Sequence, residues 1–361
     1  MAQIDKPNLH FNTLLYTGDG TSPRSITGVG FQPDMLWIKN RTGGTAYEWR
    51  QMDSVRGSNK VLHSSGTGAE NTEEYYTVGS FDSDGWTGRN GTGSNQTITG
   101  GNDNGYTFCS WSWKAGGANG SANTDGSITS TVSANTTAGF SIVKYAGTGS
   151  NATVGHGLGV APSVVLIKNR TTGGYNWVYG GDNLTSWAYI LKLNLTDAED
   201  GGSGPQSCFN STAPTSSVFS LGTSAGTNNN GNNFIAYCFA EKKGYSKFGS
   251  YIGNGNANGT FVYTGFKPAM VLVKRSSSAS GQYWELKDNK RDTSNAVTQK
   301  LSPNASDTET SLSGEEWDFL SNGFKIRTTG AGSNASGVKC IYMAFAENPI
   351  VGSNNVPATA R

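Results

Sequence analysis

One pattern occurs three times along this chain, and it limits the fold more than any other feature. A tyrosine in an apolar run (Tyr16, Tyr145, Tyr251) is followed 17 residues later by a proline (Pro33, Pro162, Pro268), and 6 residues after that by a lysine (Lys39, Lys168, Lys274). Each proline closes a short Gly-x-x-Pro segment: Gly30-Phe31-Gln32-Pro33, Gly159-Val160-Ala161-Pro162 and Gly265-Phe266-Lys267-Pro268. The most apolar run of each copy comes next, and Trp49, Trp177 and Trp284 follow the lysines at offsets of 10, 9 and 10. A second aromatic run, ending at Trp113, Phe239 and Phe345, closes each copy.

The recurrent apolar runs are short, rich in β-branched and aromatic residues, and bounded by Gly, Asn or Pro, which is the signature of strands. The internal proline fits the first position of a strand, where a missing N–H is tolerated. Leu36, Ile38, Leu166 and Val271 are too continuously apolar for a strand with one wet face, so this run is expected to lie between two covering layers. Lys39, Lys168 and Lys274 then read as the exit to solvent. The fold class expected is all-β, with three tandem β-sandwich units, jelly-roll or lectin-like, of about 100 residues each.

The boundaries that follow are an N-terminal arm at 1–12, unit 1 at 13–114, a Gly/Asn/Ser-rich linker at 115–127, unit 2 at 128–241, a short joint at 242–247, unit 3 at 248–350 and a C-terminal arm at 351–361. The linker is low in complexity and is expected to flex. Ile128 opens a segment able to add an edge strand to unit 2.

Composition narrows the function. The 27 Lys and Arg balance 26 Asp and Glu, which leaves no field of one sign for nucleic acid, and the densest basic cluster, Lys242, Lys243 and Lys247, is small. Cys109, Cys208, Cys238 and Cys340 lack metal-type spacing and read as free buried thiols of a protein folded in a reducing cytosol. The sequence shows neither an N-terminal apolar signal region nor a run of 18 apolar residues, so no membrane insertion is expected.

Candidate chemistry is sparse. His10, His63 and His156 read as surface residues, and no motif for a nucleophile elbow, a zinc helix or a phosphate loop is present. Glu315 and Glu316 are a poor glycosidase pair because neighbours on a strand diverge. Asp82 and Asp84 imitate the start of a calcium loop, although Ser321-Asn322-Gly323 in the third copy favours a shared tight turn. Asp53 and Arg56 return as Asp288 and Arg291, whereas the second copy reads Asp182-Asn183-Leu184-Thr185. This D-x-x-R is either a sugar-binding pair or an ion pair fixing a turn, and Trp49, Trp86, Trp177 and Trp284 either stack on sugar rings or pack in the core. The ligand-binding candidates are therefore Trp49, Asp53, Arg56, Trp86, Trp284, Asp288 and Arg291, with no catalytic residue, metal or cofactor expected.

Gly30-Phe31-Gln32-Pro33 with Trp37-Ile38-Lys39-Asn40-Arg41, and the segments 53–57, 81–86, 111–117, 342–347 and 355–361, resemble an uncharacterised repeat family encoded by marine tailed bacteriophages. The resemblance covers nearly the whole chain and implies a virion structural protein: a tail fibre, a tail-associated adhesin or a head fibre. The leading expectation is a non-enzymatic virion-surface protein, assembled in the host cytoplasm and released by lysis, that contacts a host glycan or another virion protein. A capsid decoration or adaptor protein is the alternative, and a polysaccharide depolymerase the third. A homo-oligomer, with a trimer favoured, fits such particles.

Overall fold

The computed structural model describes residues 2–42, 47–72, 78–89, 101–117, 119–278, 281–311 and 313–351. Among the described residues the regular structure is almost entirely antiparallel strand, joined by turns and loops. Residues 11–113 supply β1 (Phe11–Thr17), β2 (Arg24–Thr27), β3 (Met35–Asn40), β4 (Arg50–Asp53), β5 (Gly57–Leu62), β6 (Asn71–Thr72), β7 (Val78–Asp82), β8 (Gly85–Gly88) and β9 (Thr107–Trp113). Residues 121–239 supply β10 (Ser121–Asn123), β11 (Ser130–Asn135), β12 (Phe140–Ala146), β13 (Ala152–Gly155), β14 (Val164–Asn169), β15 (Val178–Gly181), β16 (Leu191–Lys192), β17 (Val218–Leu221) and β18 (Asn233–Phe239). Residues 246–349 supply β19 (Ser246–Ile252), β20 (Phe261–Tyr263), β21 (Phe266–Arg275), β22 (Glu285–Asp288), β23 (Gln299–Lys300), β24 (Thr310–Ser311), β25 (Trp317–Leu320), β26 (Gly323–Ile326) and β27 (Lys339–Pro349). Among the described residues, no helix is long and apolar enough to cross a membrane.

Three larger sheets contain the strand orders β1-β9-β3-β4, β12-β18-β14-β15 and β19-β27-β21-β22, and three smaller ones β2-β8-β7, β13-β17 and β20-β26-β25; β23 and β24 form a further two-stranded pair. The last strand of each segment therefore runs between the first and the third of its larger sheet. Period-two alternation explains why these closing strands are so aromatic, because both of their faces are covered. One face carries Phe108, then Phe234, Ala236 and Cys238, then Cys340, Tyr342 and Ala344, and each set packs in a core of its own segment with the smaller sheet. Ile26 and Trp86, Val154 and Phe219, and Val262 and Phe324 answer from those smaller sheets.

The other face carries Trp111 and Trp113, Tyr237 and Phe239, and Met343 and Phe345, and all six meet in one central core. Trp113 and Phe239 lie 5.6 and 5.9 Å from Phe345, ring centre to ring centre. A cavity of about 40 Å³ remains here, lined from all three segments by residues such as Met35, Val164 and Met270.

The stretch 115–127 is not a free linker. The Asp34 carboxylate accepts the N–H groups of Ala115 and Gly117 at 2.7 and 3.3 Å, Gly116 donates to Ser133, and residues 121–123 pair with β11 as β10. Its glycines allow close approach, since a Cβ on Gly116 would lie 2.6 Å from the Ala134 carbonyl oxygen. The N-terminal arm is also anchored: Ile4 is buried in the central core, and Phe11 and Asn12 belong to β1. Of the C-terminal arm, residues 352–361 lie outside the described residues.

Candidate functional site

Every candidate ligand-binding residue lies inside the protein. Trp49, Asp53, Trp284 and Asp288 are fully buried, and Arg56, Trp86 and Arg291 are buried nearly as well. The Asp53 carboxylate accepts the N–H groups of Val55 and Arg56, closing the turn between β4 and β5, and pairs with the Arg56 guanidinium. Arg56 also donates to the Gln51 carbonyl at 2.9 Å and meets Glu70 at 3.1 Å. Asp288 and Arg291 repeat this: the ion pair at 2.5 Å, the Leu286 carbonyl at 2.9 Å and Glu309 at 3.1 Å. The turn-fixing ion pair is what the geometry holds, and no face of it is open to a ligand.

Strand register corrects the alignment of the second copy. Met35, Val164 and Met270 stand opposite Asp53, Gly181 and Asp288, so Leu184, not Thr185, occupies the place of the two arginines. These three positions face the next segment. Arg56 reaches the Tyr237 hydroxyl at 3.3 Å, Arg291 lies 5.5 Å from the centre of the Trp111 ring, and Leu184 shares the central core with Met343. Two seams between segments are thus charged at this point, and one is apolar.

Tryptophans and lysines complete the seams in a cycle. Trp49 Nε1 donates to Ser302 and Ala305, Trp177 Nε1 to His63, and Trp284 Nε1 to Lys192, in each case to a main-chain carbonyl of another segment. Lys39, Lys168 and Lys274 do not lead to solvent; they are buried, and their ammonium groups donate to the carbonyls of Ser306, Thr67 and Thr196 across the same seams. Each also donates to a nearby loop carbonyl, of Tyr47, Tyr175 and Gln282. Burial pushes all three lysines down to about 8. Arg41 and Arg170 grip Glu309 and Glu70 with two hydrogen bonds each, while Glu199 donates its N–H to Ser276 at the third seam. Trp86 stands apart from the seams, in the first segment's own core.

His63, His156, Asp82 and Asp84 all hold hydrogen bonds within the protein. His156 is fully buried rather than at the surface, with Nε2 3.2 Å from the Thr215 carbonyl, and His63 Nδ1 lies 2.8 Å from the Trp49 carbonyl. Asp84 caps the N–H groups of Gly28 and Gly30, while Asp82 accepts from Ser80 and Thr87, so the two carboxylates serve different partners. Among the described residues no group of three or more His, Cys, Asp or Glu is placed to hold a metal ion. All four cysteines are free and buried. Glu285 is buried, and desolvation raises its pKa; Lys287, Lys300 and Glu315 supply the surrounding charge. Gly332 packs over it so tightly that a Cβ there would lie 2.0 Å from Glu285 Oε1.

Accessible apolar surface gathers on the third segment. Ile252 at the end of β19 and Phe261 and Tyr263 on β20 are exposed by 55, 43 and 59%. A groove of about 520 Å³ lies beside them, lined by Ser246, Lys247, Tyr263, Gly265, Pro349 and Val351 among others. The first segment has Ser25 and Thr27 on the strand that corresponds to β20, flanking Ile26 as Phe261 and Tyr263 flank Val262. Sequence reading missed this site; its signal was the aromatic pair at a place where the other copies are polar or small.

The fold and its interior define an all-β, sandwich-like protein whose conspicuous charged and aromatic residues hold three sheets together. The chain belongs to the DUF7483 family, described as a domain of unknown function, which matches residues 6–349 and so takes in all three segments as one unit. Comparison with curated proteins finds no match, and comparison with solved structures finds none.

Proposed function

We propose that this protein is a non-enzymatic structural component of a bacteriophage virion surface, which presents loops to a host glycan or to a neighbouring virion protein. The observation that carries this reading is the use of the polar residues. The aspartates, arginines and lysines repeated along the sequence are consumed in seams and turns, which leaves a low-charge surface of Asn, Ser, Thr and Gly loops around a rigid body. Such loops make adaptable hydrogen bonds at small conformational cost. The bacteriophage assignment rests on the sequence resemblance.

A decoration or adaptor role on the capsid is the second reading, favoured by the exposed apolar strand β20, which suits a protein neighbour better than a sugar. Labelled protein is tested for binding to intact host cells and for competition with infection, and antibody-gold microscopy locates it on particles. Binding with competition supports the adhesin, head labelling without binding supports decoration, and cleavage of host polysaccharide or absence from particles overturns the proposal.

A further inference from the structure

We propose that the free edge of β19 is a docking site for an extended strand of a neighbouring protein, which adds to the sheet as β11 adds to β12. This deepens the virion reading, on which only the identity of the neighbour rests. The second segment supplies the template. β12 pairs with β18 on one side and with β11 on the other, through Asn135↔Phe140, Ser133↔Ile142 and Thr131↔Lys144. β19 corresponds to β12 in its sheet, yet among the described residues it pairs along its length with β27 alone and stands at the sheet's edge.

The register fixes which groups face outward. The Ala346 N–H donates to the Tyr245 carbonyl, and the Gly253 N–H to that of Val338, so odd-numbered residues bond β27 and even-numbered ones face the free edge. Ser246 and Phe248 are partly capped there, by the Lys242 carbonyl and the Glu241 carboxylate. Ser250 and Ile252 are exposed; the Ile252 carbonyl accepts from the Thr260 hydroxyl at 2.8 Å, so among the described residues the Ser250 N–H and carbonyl and the Ile252 N–H are the open part of the ladder.

Side chains argue for the same occupant. In the second segment Ile128 bridges to Val154 of β13, and Val132 and Ala134 approach Gly157 just beyond that strand. The hairpin thereby covers the open side of the sandwich. In the third segment β20 exposes Phe261 and Tyr263, and Tyr263 lines the groove together with Ser246 and Lys247 of β19, while the first segment is polar at the equivalent positions, with Ser25, Thr27 and the neighbouring Arg24–Asp19 ion pair. An uncharged strand with apolar residues at every second position would cover the aromatics and complete the ladder.

A synthetic peptide with the sequence of residues 128–135 of this chain is the probe, added to the full chain, with hydrogen exchange resolved over 246–252 as the readout. The expected result is fast exchange at Ser250 and Ile252 in the isolated protein, slowed by millimolar peptide. Ser250→Pro abolishes the slowing. Phe261→Ser with Tyr263→Thr, which installs the first segment's residues on the surface, weakens it about tenfold or more. Slow exchange at those amides without peptide, no slowing with it, or slowing that survives the Phe261/Tyr263 variant each overturns the proposal. None of these outcomes bears on whether the protein is found in virions.

Discussion

The ammonium of Lys39 donates to the main-chain carbonyl of Ser306 at 2.8 Å, across 267 residues of sequence. A lysine at the end of a strand ordinarily signals solvent, and here it fastens the first segment to the third. Lys39→Met leaves the carbonyls of Ser306 and Tyr47 without this donor, and the expected loss is roughly 1–3 kcal/mol in denaturant unfolding. A loss within about 0.5 kcal/mol, the usual size for an exposed substitution, contradicts the clamp.

The same lysines give stability a pH signature. Burial holds Lys39, Lys168, Lys274 and Lys287 near 8 in the folded protein, against 10.5 as the ordinary value. Above pH 8 the unfolded chain therefore binds more protons at these sites than the folded one, and stability rises with pH. Burial moves the thiols of Cys109, Cys208, Cys238 and Cys340 the opposite way, up from 9.0, so their contribution is lost as pH rises past 9. Buried tyrosines such as Tyr145, Tyr237 and Tyr245, raised from 10.0, add a further loss above pH 10. Thermal unfolding should show Tm rising between pH 8 and 9, flattening, and falling beyond 10. A steady fall from pH 8 contradicts the lysine assignment.

Arg56→Leu strands the Asp53 carboxylate in the interior, and a loss of about 3–5 kcal/mol is expected. The second segment, with Gly181 and Leu184 at the equivalent positions, shows that an apolar solution exists. Asp53→Gly combined with Arg56→Leu should therefore be less destabilising than Arg56→Leu alone, measured as a double-mutant cycle. If these residues bound a ligand instead, Arg56→Leu would weaken that binding and leave stability nearly unchanged.

Trp177→Phe removes the hydrogen bond from Nε1 to the His63 carbonyl and leaves part of the indole's space empty. A cost of about 1–3 kcal/mol follows from these two losses. Because the bond crosses a seam, unfolding monitored in the first segment should shift as far as unfolding monitored in the second.

Local chemistry was legible in the sequence and the meeting of the three segments was not. Apolar runs with β-branched and aromatic residues marked β3, β14 and β21 as strands covered on both faces, because that pattern depends only on alternation and burial. The proline before each run fits the start of β3 and β14, and in β21 Pro268 sits where the pairing with β27 slips. Lys39 misled because one of its two partners is a main-chain carbonyl 267 residues away, which no local pattern encodes. Glycine at 116 signalled flexibility by composition and instead permits contact with Ala134. The aligned Asp182 fell one residue from its true counterpart because Gly181 carries no side chain to mark the turn.

Hydrogen exchange through a denaturant titration, followed separately in residues 11–113, 121–239 and 246–349, tests the shared core most directly. The three sets of core amides, including those of Trp111, Tyr237 and Met343, are predicted to lose protection at one common midpoint. Loss of protection in any one segment while the other two stay folded would contradict a common core and return the protein to a string of separate sandwiches.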